Sequence, residues 1–335
     1  MRKILALVPD RVDGCAYHRI EMPLHLLEGF ERTQLNNLED VKDSVLQDHD
    51  ILWFNRLQCM VNHDKQLARL KNLGVKYVID IDDYWQLPDG HLIQADYKHH
   101  EVPRKIIEFI KGAAAVITTH SLLADKIKPF NKNIVIAPNA IDPNQPQFTP
   151  TPSMEKTVFG WCGGAAHKQD LDLLKEGLKT ARDNKMFLAL AGYADNLVWN
   201  YFEHIFNGGR YDRYFRIDSA DVYNYGYLYD HFTTALVPLK NNTFNNCKSE
   251  LKLIEAGFKG KAAIVSEIMP YTIVPKDKCL WIKDGHASGW YKQMSKIQKS
   301  KQLEQELAGK LSEWARSERD LRKINKVRID LFNTL

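Results

Sequence analysis

The sequence predicts an α/β protein with two Rossmann-like domains, each built on a parallel sheet. Short apolar runs alternate with helical patterns along most of its 335 residues, which is typical of βαβ units. A proline cluster at residues 143–152 interrupts the alternation, which then starts again. A chain of this length can form two domains of ordinary size. Because such sheets bind ligands beyond the carboxyl ends of their strands, we expect both sheets to face an interdomain cleft.

The first predicted domain covers residues 1–142. Its strands are expected at residues 3–8, 51–54, 76–81, 115–118 and 134–137, and its helices at 22–28, 63–72, 104–111 and 121–130. Residues 143–156 follow, with four prolines between Pro143 and Pro152. Proline at this density excludes both a helix and a central strand, so we interpret the segment as a linker.

The second predicted domain covers residues 157–287. Its strands are expected at residues 157–161, 186–191, 214–217, 234–239 and 262–265, and its helices at 169–182, 197–206, 222–232 and 249–258. Residues 288–335 are predicted to form one or two C-terminal helices. They carry many lysines and arginines, partly interleaved with glutamates. A solvated helix face is the default interpretation, and contact with DNA or a membrane surface is the alternative.

Composition limits the class of protein. A hydrophobic fraction of 44% excludes a disordered chain, and a net charge of +4 is too small to indicate a nucleic-acid binder. Five scattered cysteines without CxxC spacing argue against a zinc site and against a disulfide framework. The chain opens without a signal-peptide pattern and has no apolar run of membrane-spanning length. We therefore expect a soluble, cytoplasmic protein.

The strongest candidate site is the predicted helix after the strand at 234–239. Its first turn is expected to carry Lys248, Ser249 and Glu250, followed by Leu251, and Glu255 lies one and a half turns further on. A helix N-terminus attracts phosphate through its N–H groups and its dipole. The lysine adds a mobile positive charge, and a glutamate accepts hydrogen bonds from two vicinal sugar hydroxyls. Phosphate together with ribose indicates a nucleotide site.

A glycine pair opens the second predicted domain. Gly163 and Gly164 follow a strand and would let backbone N–H groups approach an anion, with His167 and Lys168 as further donors. The segment is neither a Walker A sequence nor a GxGxxG motif, so ATP hydrolysis and dinucleotide binding lose support. The alternative is a tight turn with a solvated lysine.

Acidic residues end a strand of the first domain. Asp80, Asp82 and Asp83 could grip sugar hydroxyls, act as a base or hold a divalent ion, and the alternative is a helix cap and solvated turn. His18 and Arg19 lie in the loop after the first strand, where they could meet a phosphate or an acceptor. A structural arginine paired with a carboxylate is equally compatible.

Further residues lie at the ends of strands or along the tyrosine-rich segment. His120 and Asn139 fall on the same nominal side of the first domain, each as a weak candidate. Four tyrosines alternate where a helix is expected, at positions 223, 225, 227 and 229. They could stack on a nucleobase, but interdomain packing is the better interpretation.

Together these residues resemble a GT-B glycosyltransferase, most closely the family 4 and family 1-like group. Four segments carry the resemblance: residues 79–85, 116–121, 136–142 and 248–266. The third is similar to the family's PNGVD stretch, and the last is similar to its EAxxxGxPVVxS signature, with Glu255 and Ser266 in step. The resemblance implies a nucleotide-sugar donor, transfer with retention of configuration and no metal or other cofactor.

The resemblance also assigns roles. It implies that Glu255 binds the ribose hydroxyls, that Lys248 and the N–H groups of Ser249 to Leu251 hold the pyrophosphate, and that the Gly163 loop closes over the phosphates. Asp82 and Asp83 stand where the family often has His-Asp, so Asp82 would meet the donor sugar or acceptor. The leaving phosphate would deprotonate the acceptor. In place of the first acid of the family's E-x7-E pair this chain has Cys247; Asn246 or Glu250 would then contact the sugar.

The sequence thus predicts a hexosyltransferase-type enzyme that uses a UDP- or GDP-sugar. Its acceptor would be a glycan or a lipid-linked glycan precursor, with peripheral membrane contact; hydroxylated DNA bases are an alternative acceptor. Three other classes stay open: a GT-B-type sugar-nucleotide epimerase, a metal-dependent GT-A enzyme built on Asp80 and Asp82, and a non-catalytic sugar-nucleotide-binding or glycan-binding protein.

Overall fold

Two parallel six-stranded sheets form the framework of the protein, which confirms the predicted fold class. The computed structural model describes every residue except Arg11, Val61, Ser153 and Gly285, and omits the side chains of Leu57 and Cys59. The chain divides into two units. The first comprises Met1–Asp142, Cys247–Ser249 and Leu321–Leu335, and the second comprises Pro143–Asn246 and Glu250–Asp320.

The sheet of the first unit has the strand order β2-β1-β3-β4-β5-β6. Its strands are β1 Arg2–Leu7, β2 Phe30–Leu35, β3 Ile51–Asn55, β4 Tyr77–Ile81, β5 Ala115–Thr118 and β6 Ile134–Ile136. Its helices are α1 Gly14–Ala16, a π-helical turn at Tyr17–Glu21, α2 Met22–His25, α3 Asp43–Gln47, α4 His63–Asn72, α5 Gln94–His99, α6 Val102–Gly112 and α7 Ser121–Ile127. β3 and β4 are buried along their whole length, as expected for central parallel strands covered on both faces.

The sheet of the second unit has the order β12-β11-β10-β7-β8-β9. Its strands are β7 Val158–Cys162, β8 Phe187–Tyr193, β9 Tyr214–Asp218, β10 Thr234–Val237, β11 Ala262–Ser266 and β12 Leu280–Ile282. Its helices are α8 Lys168–Leu171, α9 Lys175–Asp183, α10 Leu197–Asn207, α11 Thr243–Asn246, α12 Leu251–Phe258, α13 Gly289–Lys299 and α14 Lys301–Glu318. The side chain of Asn196 caps α10 by accepting from two backbone N–H groups, and Gly208 ends it in the left-handed region.

The last helix, α15 Leu321–Thr334, belongs to the first unit. Its Phe332 packs edge-to-face on Trp53 of β3 and on Phe30 of β2. Residues 288–335 form three helices, α13, α14 and α15, so the prediction of one or two C-terminal helices was wrong. No helix in the described parts of the chain is long and apolar enough to span a bilayer.

Several predicted elements differ in detail. The edge strands β2 and β12 were not predicted, because β2 has one buried residue and two charged ones and β12 has three residues. The helix predicted at 222–232 is a 3₁₀ helix, Tyr225–His231. A Cβ at Gly226 would lie 2.6 Å from the carbonyl oxygen of Gln147, so the segment packs closely on its neighbour. The single helix predicted at 169–182 is broken by a 3₁₀ turn, Asp172–Leu174.

Two helical glycines of the second unit offer a matched test of packing. A Cβ added at Gly257 in α12 would lie 2.6 Å from the Cβ of Ala315 and 2.8 Å from the carbonyl oxygen of Leu311, whereas Gly309 in α14 has open space. We expect Gly257→Ala to destabilise the protein by about 1–3 kcal/mol. Gly309→Ala should stabilise it by about 0.5–1 kcal/mol, since alanine loses less backbone entropy in a helix. Urea unfolding of both variants checks this, and effects of the same sign would contradict it.

Candidate functional site

The glycine pair of the second unit lies directly after β7. A Cβ at Gly163 would come within 2.5 Å of the Trp161 ring and 2.9 Å of the ammonium of Lys252. Only glycine therefore fits beside this lysine. Gly164 is exposed, and a Cβ there would meet nothing. The loop is thus open to a ligand at Gly164, while Gly163 is buried, and the anion site stays a prediction.

Lys252 is a residue that the sequence analysis missed. It is the second residue of α12, and its ammonium donates to the carbonyl oxygen of Cys162 at 2.7 Å. The same ammonium lies 5.4 Å from the centre of the Trp161 ring, which adds a cation–π contact. These contacts fix a positive charge against the glycine loop. The first turn of α12 also presents N–H groups that lack intrahelical partners, which favours an anion at this place.

The first turn of this helix differs from the prediction. The carbonyl oxygen of Glu250 accepts from the N–H groups of Leu253 and Ile254, so Glu250 is the N-cap and the helix begins at Leu251. Lys248 and Ser249 therefore precede the helix. The side chain of Glu250 is buried and pairs with Arg319 at 2.7 Å. This ion pair holds the carboxylate and gives it a structural partner.

Lys248 and Ser249 group with the first unit instead. The Lys248 ammonium lies 3.5 Å from the Asp83 carboxylate, and both side chains are about one-fifth exposed. Asn139 donates from its amide to the Ser249 hydroxyl at 2.6 Å. These contacts explain why the two residues lie outside the helix. Cys247 beside them is fully buried in the hydrophobic core of the first unit, so the acid of the family's E-x7-E pair is replaced by a packing residue.

His167 is held by a buried carboxylate. Its Nδ1 lies 2.7 Å from Asp170, which is 4% exposed. Asp170 also accepts from the backbone N–H of Lys240 at 2.8 Å and from the amide of Asn245 at 2.9 Å. Because a carboxylate only accepts, Nδ1 of His167 donates the proton, and the ring orientation is fixed. Lys168, next in the chain, is exposed, with its ammonium 5.3 Å from the centre of the Tyr201 ring.

Glu255 lies 3% exposed in α12, one turn beyond Lys252. Burial raises the pKa of its carboxyl to about 7, although the Lys252 charge and the Tyr229 hydrogen bond act to lower it. The Tyr229 hydroxyl donates to Oε2 of Glu255 at 2.7 Å. Tyr229 thus orients the carboxylate, a role that the sequence analysis did not assign. The ring of Tyr225 packs edge-to-face on that of Tyr229 within the second unit, whereas Tyr223 and Tyr227 are exposed.

In the first unit, Asp82 and Asp83 follow β4 and share one arginine. Arg56 donates from Nε to Asp82 at 3.0 Å and from Nη2 to Asp83 at 3.1 Å. Asp82 also accepts from the Asn55 amide at 3.1 Å. Burial alone would raise the pKa of Asp82, but Arg56 and the hydrogen bonds lower it to about 2. Asp82 is therefore ionised at any physiological pH. Arg56 was not predicted, because it lies 26 residues before Asp82.

Arg19 is a structural arginine paired with a carboxylate, which is one of the two alternatives that the sequence allowed. It is 1% exposed and contacts Asp80 through two nitrogens, Nε at 2.8 Å and Nη2 at 3.1 Å. Its Nη1 donates to the Ala137 carbonyl and to the side-chain oxygen of Asn139. Asn139 therefore links Arg19 to Ser249, and this network lies at the carboxyl edge of the sheet.

The two predicted histidines of this unit are also buried. His18 lies in the π-helical turn, where burial and the neighbouring Arg19 lower its pKa to about 4, so it is neutral at pH 7. His120 is buried at the N-cap of α7. Neither presents an exposed cation to a ligand.

The acidic groups that could hold a metal are bound by arginines. Both oxygens of Asp80 contact Arg19, and Oδ1 of Asp82 contacts Arg56. A second group joins His63, Asp64 and Glu108. There Arg104 lies 2.9 Å from Glu108 and 3.6 Å from Asp64. In both groups an arginine is thus already within ion-pair distance of the carboxylates.

Comparison with solved structures decides the fold family. Sucrose-phosphate synthase from Thermosynechococcus elongatus matches over 100% of this chain and 99% of its own, with a TM-score of 0.74 at 13% identity. HepE of Anabaena in complex with UDP-glucose matches over 100% of both chains, with a TM-score of 0.73 at 12% identity. Trehalose-6-phosphate synthase OtsA covers 100% and 99%, with a TM-score of 0.66 at 9% identity.

These structures are GT-B glycosyltransferases. The chain has the GT-B fold. No protein-family model matches the sequence, and no curated protein matches it. At these identities the likeness establishes the fold and leaves the reaction to the residues of the site.

Proposed function

We propose that the protein is a glycosyltransferase that moves a sugar from a nucleotide-diphosphate sugar to an acceptor hydroxyl. One observation carries this: α12 places a buried carboxylate, Glu255, and a fixed cation, Lys252, beside the glycine loop, in which Gly163 is packed against Lys252 and Gly164 is exposed. The GT-B fold supports it, since HepE, with the same fold, was solved with UDP-glucose. We take a UDP-sugar as the donor.

Each part of the donor has a partner in this proposal. Glu255, oriented by Tyr229, accepts from the ribose hydroxyls. The diphosphate is bound by the Gly163 loop, the N–H groups of Leu251 and Lys252, and the side chain of His167. Lys168, which is exposed, adds a mobile cation. Glu250, paired with Arg319, supports the start of the helix.

Catalysis is proposed to be electrostatic. As the bond between the anomeric carbon and the phosphate oxygen breaks, positive donors stabilise the charge that develops on the diphosphate. The acceptor oxygen bonds to the anomeric carbon on the same face, so configuration is retained, and the acceptor proton passes to the leaving phosphate. Asp82, with a pKa of about 2, is a poor base and instead accepts a hydrogen bond from a sugar hydroxyl. No metal is required in this scheme.

The acceptor is proposed to be a glycan or lipid-linked glycan, bound by the first unit. The network of Arg19, Asp80 and Asn139 would form the rigid base of that site, while Asp82 and Asp83 supply acceptors for hydroxyl groups. Hydroxylated DNA bases stay an alternative acceptor.

The test is a donor panel followed by turnover. UDP-, GDP-, ADP- and CMP-sugars are added to the protein with and without EDTA, and the melting temperature is measured. A ligand at 100 times its Kd stabilises the native state by about 2.7 kcal/mol. We expect a rise with a UDP-sugar that EDTA does not change, and a smaller rise with free UDP.

Release of UDP in the presence of glycan acceptors then separates the classes of function. Acceptor-dependent release supports transfer. Binding without release would indicate a sugar-nucleotide-binding protein, and release of free sugar without an acceptor would indicate the epimerase-type reaction. No rise with any donor, or a rise that EDTA removes, would contradict the proposal.

A further inference from the structure

The first unit contains buried hydrogen-bond donors without partners. Nε and Nη1 of Arg328 and Nε1 of Trp53 are shielded from solvent, and none of them has a hydrogen-bond partner among the described residues. Both side chains are 0% exposed. Leaving such a donor unpaired costs free energy, and the cost is greatest for a charged group. Donors of this kind indicate an ion or an ordered water.

Arg328 and Trp53 lie in one layer, between α15 and the sheet. Phe332, one helical turn after Arg328, packs on the Trp53 ring at 5.2 Å, and side chains four residues apart share a helix face. Trp53 pairs with Val78 across β3 and β4. Asp80, two residues further along β4, points to the same face of the sheet.

This layer has one positive charge in excess. Burial is the largest influence on the pKa of Arg328, followed by the charges of Arg19 and Asp80, and together they lower it to about 9. Arg328 is therefore still a cation at pH 7. Both oxygens of Asp80 are already engaged by Arg19, and His18 beside Arg19 is neutral at this pH. Asp80 thus balances Arg19, and the charge of Arg328 is left over.

We propose that Arg328 binds a small inorganic anion of halide size, with Nε1 of Trp53 as an additional donor. Full burial excludes phosphate esters and carboxylate metabolites, which need an opening to the surface. A water molecule satisfies the N–H groups but does not balance the charge. Oδ1 of Asn325, one turn earlier on α15, also has no hydrogen-bond partner in the described chain, and it is an acceptor that a water beside the anion would serve.

Bound in this way, the anion stabilises α15 on the first sheet, within reach of the charges of Arg19 and Asp80. The site lies outside the residues proposed to bind donor or acceptor. Whether the site is occupied can therefore be measured through the melting temperature of the protein, and this test does not depend on the proposed reaction.

The test compares melting temperatures in sodium chloride, sodium bromide and sodium gluconate at equal concentration. Three proteins are measured: wild type, Arg328→Met, and Lys326→Met as a control for an exposed cation on the same helix. We expect wild type and Lys326→Met to melt several degrees higher in chloride and bromide than in gluconate. Arg328→Met should melt at one temperature in all three salts. In gluconate it should melt no lower than wild type, because an apolar side chain replaces an uncompensated charge.

Bromide also gives a direct view of the site. In crystals of the wild-type protein grown in bromide, we expect an anomalous peak against the Arg328 guanidinium, and this result stands if Arg328→Met fails to fold. Equal melting temperatures of wild type in all salts, a halide response retained by Arg328→Met, or water without an anomalous signal at the guanidinium would each overturn the proposal.

Discussion

Replacing Glu255 by glutamine is expected to weaken binding of the UDP-sugar by about 10- to 100-fold at pH 8. Hydrogen bonds to a charged group contribute about 1.5–3 kcal/mol, and each 1.4 kcal/mol corresponds to about a factor of ten in affinity. Glutamine keeps the shape of the side chain but loses its charge and one acceptor. It also still accepts from the Tyr229 hydroxyl, so the variant should fold. Titration calorimetry with the donor measures the change.

The same carboxyl should make donor binding depend on pH. Burial raises the pKa of Glu255 to about 7 in the free protein, and ribose hydroxyls donate best to its ionised form. Donor affinity should therefore rise as pH increases through 7, with release of a proton near pH 6 to 7. The other titratable groups around Glu255 stay protonated, since burial raises the pKa of Cys162 to about 12 and those of Tyr225 and Tyr229 well above 10.

The sign for stability is opposite to the sign for binding. In the folded state the pKa of Glu255 is raised from its ordinary value of 4.5 to about 7. The protonated carboxyl therefore contributes stability that is fully present below pH 4.5, and the free protein loses this contribution as pH rises through about 7. Donor binding should offset this loss. Glu313→Gln, an exposed glutamate of the same unit, serves as the control and should keep both the affinity and the pH profile. An unchanged profile in Glu255→Gln would remove Glu255 from the site.

The sequence was sufficient to predict the two parallel sheets because buried parallel strands are recognisable as short apolar runs. β3, β4 and β11 are buried along their whole length, and four of the five residues in each are apolar. β2 was not predicted because an edge strand needs only one buried face. Its Glu31 and Arg32 are exposed and interrupt the apolar pattern. The helix after β10 was placed within two residues of its true start, and Glu255 was identified on it.

The remaining parts of the site depend on contacts between residues far apart in the chain. Lys252 reaches Cys162 across 90 positions, and Tyr229 reaches Glu255 across 26. No local pattern encodes such pairs. Asp170 follows His167 by three residues, a spacing that could have indicated the pair. For Lys248 the local pattern gave a wrong prediction: it placed the residue in the first turn of the helix. In the structure Lys248 precedes the helix and contacts Asp83.

Replacing Asp80 by asparagine is expected to destabilise the first unit by about 3–5 kcal/mol, the cost of removing one partner from a buried ion pair. Asp80 is 0% exposed, and its carboxylate faces two buried cations, Arg19 at 2.8 Å and Arg328 in the same layer. Asparagine preserves the volume but leaves Arg19 without its countercharge, in a layer that also holds the Arg328 cation. Urea unfolding, followed by the fluorescence of Trp53 and the other tryptophans, measures the loss.

A second substitution identifies the cause of that loss. If uncompensated charge dominates, Asp80→Asn combined with Arg328→Met should recover part of the lost stability, because the layer then holds one cation instead of two. Asp96→Asn, an exposed aspartate on α5, should change stability by no more than about 0.5 kcal/mol. A double variant whose loss equals the sum of the single effects would show that Asp80 and Arg328 do not interact. The loss in Asp80→Asn would then come from the broken hydrogen bonds to Arg19 alone.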